Sequence, residues 1–184
     1  MKKAFFSLLF FTVLSLVFSQ DNIINLERDN PNTLIGSSYL QFRVFGLSVN
    51  MTHEQAWERI NSDSRIYGED DRPNPGRIYV YDARNRKCIL YLIWNQRENR
   101  MASMTVFNDC SDFLSSSFKR LLTLEAINGL SSFLGNSNRS RETLNISSIG
   151  VLYTTYYYDD IGIQITHQKD SNGERVVFSF GRNE

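Results

Sequence analysis

The chain has 184 residues, 20 Lys+Arg against 20 Asp+Glu for a formal net charge of zero, and 41% hydrophobic residues. That length bounds it to one compact domain or two small fused ones. A neutral balance gives no electrostatic footprint for nucleic acid and no polybasic stretch for anionic lipid.

Residues 1–19 read as a secretory signal peptide. Lys2 and Lys3 form the positive start, and Ala4–Phe18 is an apolar stretch broken only by Ser7, Thr12 and Ser15. Val17 and Ser19 suit the positions that flank cleavage, which would leave Gln20 as the new terminus. As an uncleaved anchor the run is shorter than the roughly 18 to 20 residues of a spanning helix. No cysteine follows it for lipid attachment, and no later stretch is apolar enough to cross a membrane. The expectation is an exported chain, periplasmic or extracellular, without a transmembrane segment.

The polar stretch Gln20–Ser38, with Asn30-Pro31-Asn32 near its middle, reads as a mobile lead-in. Tyr39–Phe45 alternates Leu40, Phe42 and Val44 with Gln41 and Arg43, the pattern of a half-buried strand. Thr52 and Gln55 form a capping box that opens a short helix over Thr52–Asn61, with Ala56, Trp57 and Ile60 as its buried stripe. The polar span Asn61–Gly76 reads as a solvated loop, because Glu69-Asp70-Asp71 with Asn74 lacks the ligand spacing of an EF-hand. Strands are predicted at Arg77–Asp82, Cys88–Asn95 and Met101–Phe107. The clusters Arg84-Asn85-Arg86-Lys87 and Arg97-Glu98-Asn99-Arg100 would be solvated hairpin turns.

Folding the hairpin about Gln96–Arg100 brings Cys88 near Cys110, and export permits a disulfide there that would clasp its open end. In the chain-entropy model a bridge of this loop size stabilises by about 3 kcal/mol. A redox or nucleophilic thiol is the alternative, but no CxxC spacing supports it. Thr123–Leu134 reads as a second helix with Ile127, Leu130, Phe133 and Leu134 buried and Gly135 as its stop. A polar loop, Asn136–Asn145, follows. The last strands are predicted at Val151–Tyr158, Ile161–His167 and Arg175–Phe180, joined by turns at Asp159-Asp160 and Lys169–Gly173.

These elements repeat. The two helix starts and the three strand starts after them recur at a near-constant offset of about 71 to 74 positions, the mark of a duplicated unit. The fold expected is α+β: a tandem α-β-β-β repeat, units 39–110 and 111–184, with two short helices on one face of an antiparallel sheet. The other face would be open. Strand tyrosines are plentiful, and Tyr156-Tyr157-Tyr158 cannot all lie on one face, so some rings must point away from the helices. Tyr79, Tyr81, Trp94, Tyr153 and Tyr157 are the candidate binding anchors, since such rings combine apolar area with a polar tip.

No catalytic or metal motif stands out. His53 and His167 have no partners at zinc spacing, and HExxH, GxSxG, P-loop and GxGxxG patterns are absent. Sequons occur at Asn50, Asn138 and Asn145 and matter only in a eukaryotic source.

The stretch Phe45-Gly46-Leu47-Ser48-Val49-Asn50-Met51-Thr52-His53-Glu54-Gln55-Ala56 resembles an opening shared by β-lactamase-inhibitor-protein-like and SmpA/OmlA-like small exported bacterial proteins. The resemblance implies a tandem helix-plus-sheet duplication that grips a partner protein on its sheet face. The second unit, at Thr123-Leu124-Glu125-Ala126-Ile127, keeps the cap and early acid but lacks the Gly and Met. The chain also departs from the first group in having one cysteine pair, not one per unit, and from the second in lacking a lipid-anchor cysteine, so β-lactamase inhibition is not carried over.

The function expected is a non-enzymatic exported binding protein, without cofactor or metal, using an aromatic sheet face on a protein or cell-envelope partner. The alternatives are a secreted enzyme or small-ligand carrier with an enclosed cystatin-like or NTF2-like pocket, and a structural envelope protein.

Overall fold

The computed structural model describes residues 22–123, 130–136, 139–146 and 150–181. The expected signal peptide lies outside these residues, as does the middle of the expected second helix. The fold is α+β, dominated by one large antiparallel sheet with a few short helices. A two-residue parallel pair, β1 (Ile24–Asn25) with β2 (Phe42–Arg43), stands apart from it. The large sheet contains β3 (Ile66–Asp70), β4 (Arg77–Asp82), β5 (Cys88–Asn95), β6 (Arg100–Val106), β7 (Arg139–Ile146), β8 (Val151–Tyr158), β9 (Ile163–Asp170) and β10 (Gly173–Gly181). Its order is β3-β4-β5-β6-β10-β9-β8-β7, so two four-strand meanders meet at an antiparallel β6–β10 seam.

Alternation sorts each strand. Ile78 and Val80 on β4, Leu90 and Leu92 on β5, Met104 and Val106 on β6, Phe178 and Phe180 on β10, and Ile163 and Ile165 on β9 are all buried in one cluster. The same cluster takes in Ala56 and Ile60 of helix α1 (His53–Ser62), Phe118 of α2 (Ser116–Lys119), and Phe133 and Leu134 of α3 (Ser131–Leu134). Single-turn helices such as α2 and α3 have no stability of their own and depend on that burial.

The turn before α1 explains the Phe45-Gly46 motif. Both residues have positive φ, 52° and 73°, and an isolated bridge joins Val44 to Leu47. A Cβ at position 46 would collide with the Arg59 guanidinium, so glycine is needed for space as well as for backbone freedom. Arg59 Nε donates to the Phe45 carbonyl at 2.6 Å, and the Phe45 N–H donates to Glu27 Oε2 at 2.8 Å. Arg65 closes the ring, pairing with Glu27 at 2.8 Å and Asp63 at 2.7 Å while lying 5.0 Å over the Phe45 ring. Its guanidinium holds the Asp63 carboxyl below the usual carboxylate value, and the arginine's own pKa is raised in turn, chiefly by the hydrogen bond to Asp63. The capping box then starts α1, with Thr52 and Gln55 exchanging side-chain to backbone bonds of 3.3 and 3.0 Å.

Several expectations are corrected. The lead-in is tied down: Leu26 and Leu34 are buried, and Leu34 N–H donates to the Phe133 carbonyl at 2.7 Å. Tyr39–Gln41 is a 3-10 turn rather than part of a strand, because Ser38 and Gln41 form a capping box of their own, and this leaves Leu40 exposed. Two spans read as loops contain strands, β3 and β7, which form the two edges of the sheet, where polar sequence is tolerated. Each half therefore contributes four strands where three were expected. In the second helix, Thr123 follows a 3-10 turn with its hydroxyl bonded back to Arg120, and the described helical turn begins at Ser131.

Candidate functional site

Opposite the core, cross-strand register lines up one continuous row. Glu69, Tyr79, Tyr91, Thr105, Ser179, Gln164 and Tyr157 follow one another across seven strands. Since paired residues share a face, this row and its neighbours define the second face of the sheet. A second row sets Tyr67 opposite Tyr81, and a third sets Tyr153 opposite Gln168. The tyrosines of these rows are half-buried.

At the β3–β5 end the rings form a packed group. Tyr67 stacks on Tyr81 with centroids 5.2 Å apart and 17° between planes, and Tyr79 lies 4.6 Å from Tyr91 and 6.4 Å from Tyr81. The Arg77 guanidinium sits 6.0 Å from the centre of the Tyr91 ring. The Tyr91 hydroxyl donates to Asp71 Oδ2 at 3.4 Å, and the amide of Asn74 donates to the same oxygen at 3.0 Å. Burial raises the phenol pKa of Tyr79 and of Tyr81. The proximity of Tyr91 adds to it for Tyr79, and that of Cys88 for Tyr81. These hydroxyls therefore stay neutral donors. The middle of the face is a hydroxyl and amide floor, where Thr105 pairs with Ser179 at 2.9 Å and Thr155 with Thr166 at 3.1 Å. Tyr153 and Tyr157 lie beyond it on β8. Four strand spacings separate Tyr91 from Tyr157, roughly 19 Å.

Four of the five expected anchors, Tyr79, Tyr81, Tyr153 and Tyr157, share this face. Trp94 does not. It follows Leu90 and Leu92 on the core side of β5, is 6% exposed, and packs edge-on to His53 at 5.3 Å. A register shift between Ile93 and Trp94 accompanies that placement, and its indole N–H has no hydrogen-bond partner among the described residues. Tyr67 and Tyr91 join the group although neither was expected as an anchor. Tyr67 sat in the span read as loop, yet Ile66-Tyr67-Gly68-Glu69 does alternate. Gly68 lies on the α1 side, where a Cβ would press on Trp57.

Cys88 and Cys110 are free thiols, so the expected clasp is absent. Val80 pairs with Leu90 and Tyr81 with Cys88, which leaves Ile89 as a bulge that turns Cys88 toward the tyrosine face. Cys110 is fully buried in the core. The hairpin is held at that end by Lys87 on Asp109 at 2.8 Å, Arg84 over the Phe113 ring at 4.9 Å, and Phe107 N–H on the Ile89 carbonyl at 3.0 Å. Burial pushes the Cys88 thiol up to about 11, the opposite of an activated nucleophile.

Hollows occur on the described surface both beside this face and on the helix side of the sheet. One of about 300 Å³ lies between His53, Glu54, Trp94 and Gln96, one of about 330 Å³ beside Cys88, Arg175 and Val177, and one of about 290 Å³ between Ile35, Leu134, Tyr158 and Ile161. His53 accepts from the Trp57 indole at 3.3 Å and lies 3.8 Å from Asp70, while His167 lies 3.4 Å from Glu174. Among the described residues no cluster of His, Cys, Asp or Glu could hold a metal ion, and no helix is long and apolar enough to cross a membrane. Comparison with protein-family models, with curated proteins and with solved structures returns no match, so the functional reading rests on the geometry of this face.

Proposed function

We propose that the chain is an exported, non-enzymatic binding protein that grips a protein or cell-envelope component with its tyrosine-bearing sheet face. The observation that carries this reading is the cross-strand row in which tyrosines flank a floor of hydroxyls and amides. Tyrosines give large contact area at low entropic cost and keep a polar tip for the rim of an interface. Duplication of a helix-plus-meander unit, with its helices on the core side only, is the architecture this reading assumes, and it would leave the tyrosine face uncovered for a partner. The carrier alternative needs an enclosed cavity. The hollows described among these residues, about 290 to 330 Å³, lie near the lower end of the roughly 300–1,000 Å³ typical of ligand pockets.

The test is capture from the native extracellular or periplasmic milieu, comparing wild type with Tyr79→Ala/Tyr81→Ala/Tyr153→Ala/Tyr157→Ala. Loss of one stoichiometric partner from the variant, with thermal unfolding still cooperative, is the expected result. A ring at the centre of the contact should weaken binding by about 2 kcal/mol, roughly thirty-fold. Undiminished capture by a folded quadruple variant sinks the proposal. A small molecule retained by both proteins in native mass spectrometry would favour the carrier.

A further inference from the structure

The two edges of the large sheet differ in sign and run in opposite directions. β3 and β7 end the strand order, and neither has a second partner strand among the described residues. The acidic residues Glu69 and Asp70 lie on β3, whereas β7 carries Arg139 and Arg141 with the single acid Glu142. Every step from β3 to β7 is antiparallel. Seven such steps leave the two edge strands antiparallel to each other.

That arrangement has a geometric consequence. If a second copy is placed beside the first in the same orientation, its β3 meets the first copy's β7 antiparallel, the same pairing used throughout the sheet. Both tyrosine faces then lie on the same side. Unpaired edge amides and carbonyls are a ready template for strand addition. Leu144, 60% exposed and in register with Tyr153, would come to lie on the same face as the neighbour's Tyr67. We infer that a second copy of this chain adds head to tail through β3 on β7, with the acidic edge of one copy against the basic edge of the next. A symmetric β3–β3 joint would also be antiparallel, but it joins two acidic strands and lacks the opposite charges that β3 meets on β7. A head-to-tail joint is heterologous, so unless the sheet twist closes a ring it propagates, and the tyrosine face repeats along the assembly.

Sedimentation velocity tests this on the full chain, expressed with its leader so that processing by the host defines the N-terminus. Wild type should gain mass with concentration and lose it as salt rises, because the charges at the joint are screened. Glu69→Lys/Asp70→Lys and Arg139→Glu/Arg141→Glu should each be monomeric, and one chain carrying all four reversals should associate again. Leu144→Lys, at an exposed position that folding does not require, should reduce association without altering the melting curve. A wild type that stays monomeric up to about 1 mM overturns the inference, and so does association that persists after charge reversal on β3. The latter outcome would identify a β7–β7 or face-to-face contact instead.

Discussion

Both faces of the large sheet carry aromatic rings, and they use them in opposite ways. On the core side Phe42 meets Phe118 and Phe180 edge-on, at 6.5 and 5.5 Å, and Phe118 meets Phe133 at 6.3 Å. These rings have no polar atom and are almost fully covered. On the other side the rings are tyrosines, stacked or tilted against one another and half-buried, with a neighbouring carboxylate taking the hydroxyl of Tyr91. The comparison teaches that ring count alone does not mark a site. The hydroxyl decides, because a buried phenol needs a partner and a half-exposed one keeps a donor for whatever binds.

The comparison breaks or stands on paired truncations. Phe42→Ala removes a ring that is 1% exposed and should cost about 3–5 kcal/mol. Tyr81→Ala removes a ring whose main support is the stack on Tyr67 and should cost about 1 kcal/mol. Urea unfolding of both variants measures the difference. Equal costs would mean that the tyrosine face is packed as tightly as the core.

A smaller effect separates the carboxylates of the two faces. Asp82 alternates with Ile78 and Val80 on the core side and is 1% exposed. Arg84 reaches it with two side-chain bonds of 3.1 and 3.0 Å and a backbone bond of 2.9 Å. The side-chain hydrogen bond from Arg84 holds the Asp82 carboxyl below its ordinary value of 3.8. A depressed folded-state pKa means that this contribution to stability is present above the unfolded value and is lost as pH falls through the folded one. The melting temperature of wild type should therefore drop on acidification below about pH 4, while Asp82→Asn, already less stable at neutral pH, should show a shallower drop. Parallel acid profiles would show that the pair contributes nothing.

Much of this architecture is legible in the sequence, and the failures share a cause. The strands of the sheet interior were readable because two-sided alternation, as in Ile161, Ile163 and Ile165 against Gly162, Gln164 and Thr166, is imposed by one dry face. The helix at Thr52 was readable because its cap is local chemistry. The edge strands β3 and β7 were not, since an edge strand needs fewer apolar residues and tolerates charges such as Glu69 and Arg141. The position of the cysteines relative to each other depends on the bulge at Ile89, where one extra residue reverses which side a side chain takes, whereas Trp94 keeps the regular alternation of Leu90 and Leu92 on the core side. Face assignment is therefore the step at which the expected anchor set lost Trp94 and lacked Tyr67 and Tyr91. Tyr156-Tyr157-Tyr158 worked in the other direction: whatever the register, one ring had to leave the face of the other two, and Tyr157 did.

The smallest expected effect is spectroscopic, and it isolates the end of the face with the most closely packed rings. Tyr79 and Tyr81 have phenol pKa values raised above the ordinary 10.0, mainly by burial. A raised pKa means that the folded chain favours the neutral phenol, so the associated stability is present below the unfolded value and is lost as pH rises through the folded one. Alkaline titration followed by phenolate absorbance should show a late-ionising component in wild type, and Tyr79→Phe/Tyr81→Phe should remove it while retaining both rings. If the double variant titrates with the same late component, the packed environment belongs to other tyrosines. If the component disappears, Tyr79 and Tyr81 are the late-ionising phenols, neutral below the ordinary 10.0, and a partner contacting them near neutral pH would be met by hydroxyl groups rather than by charge.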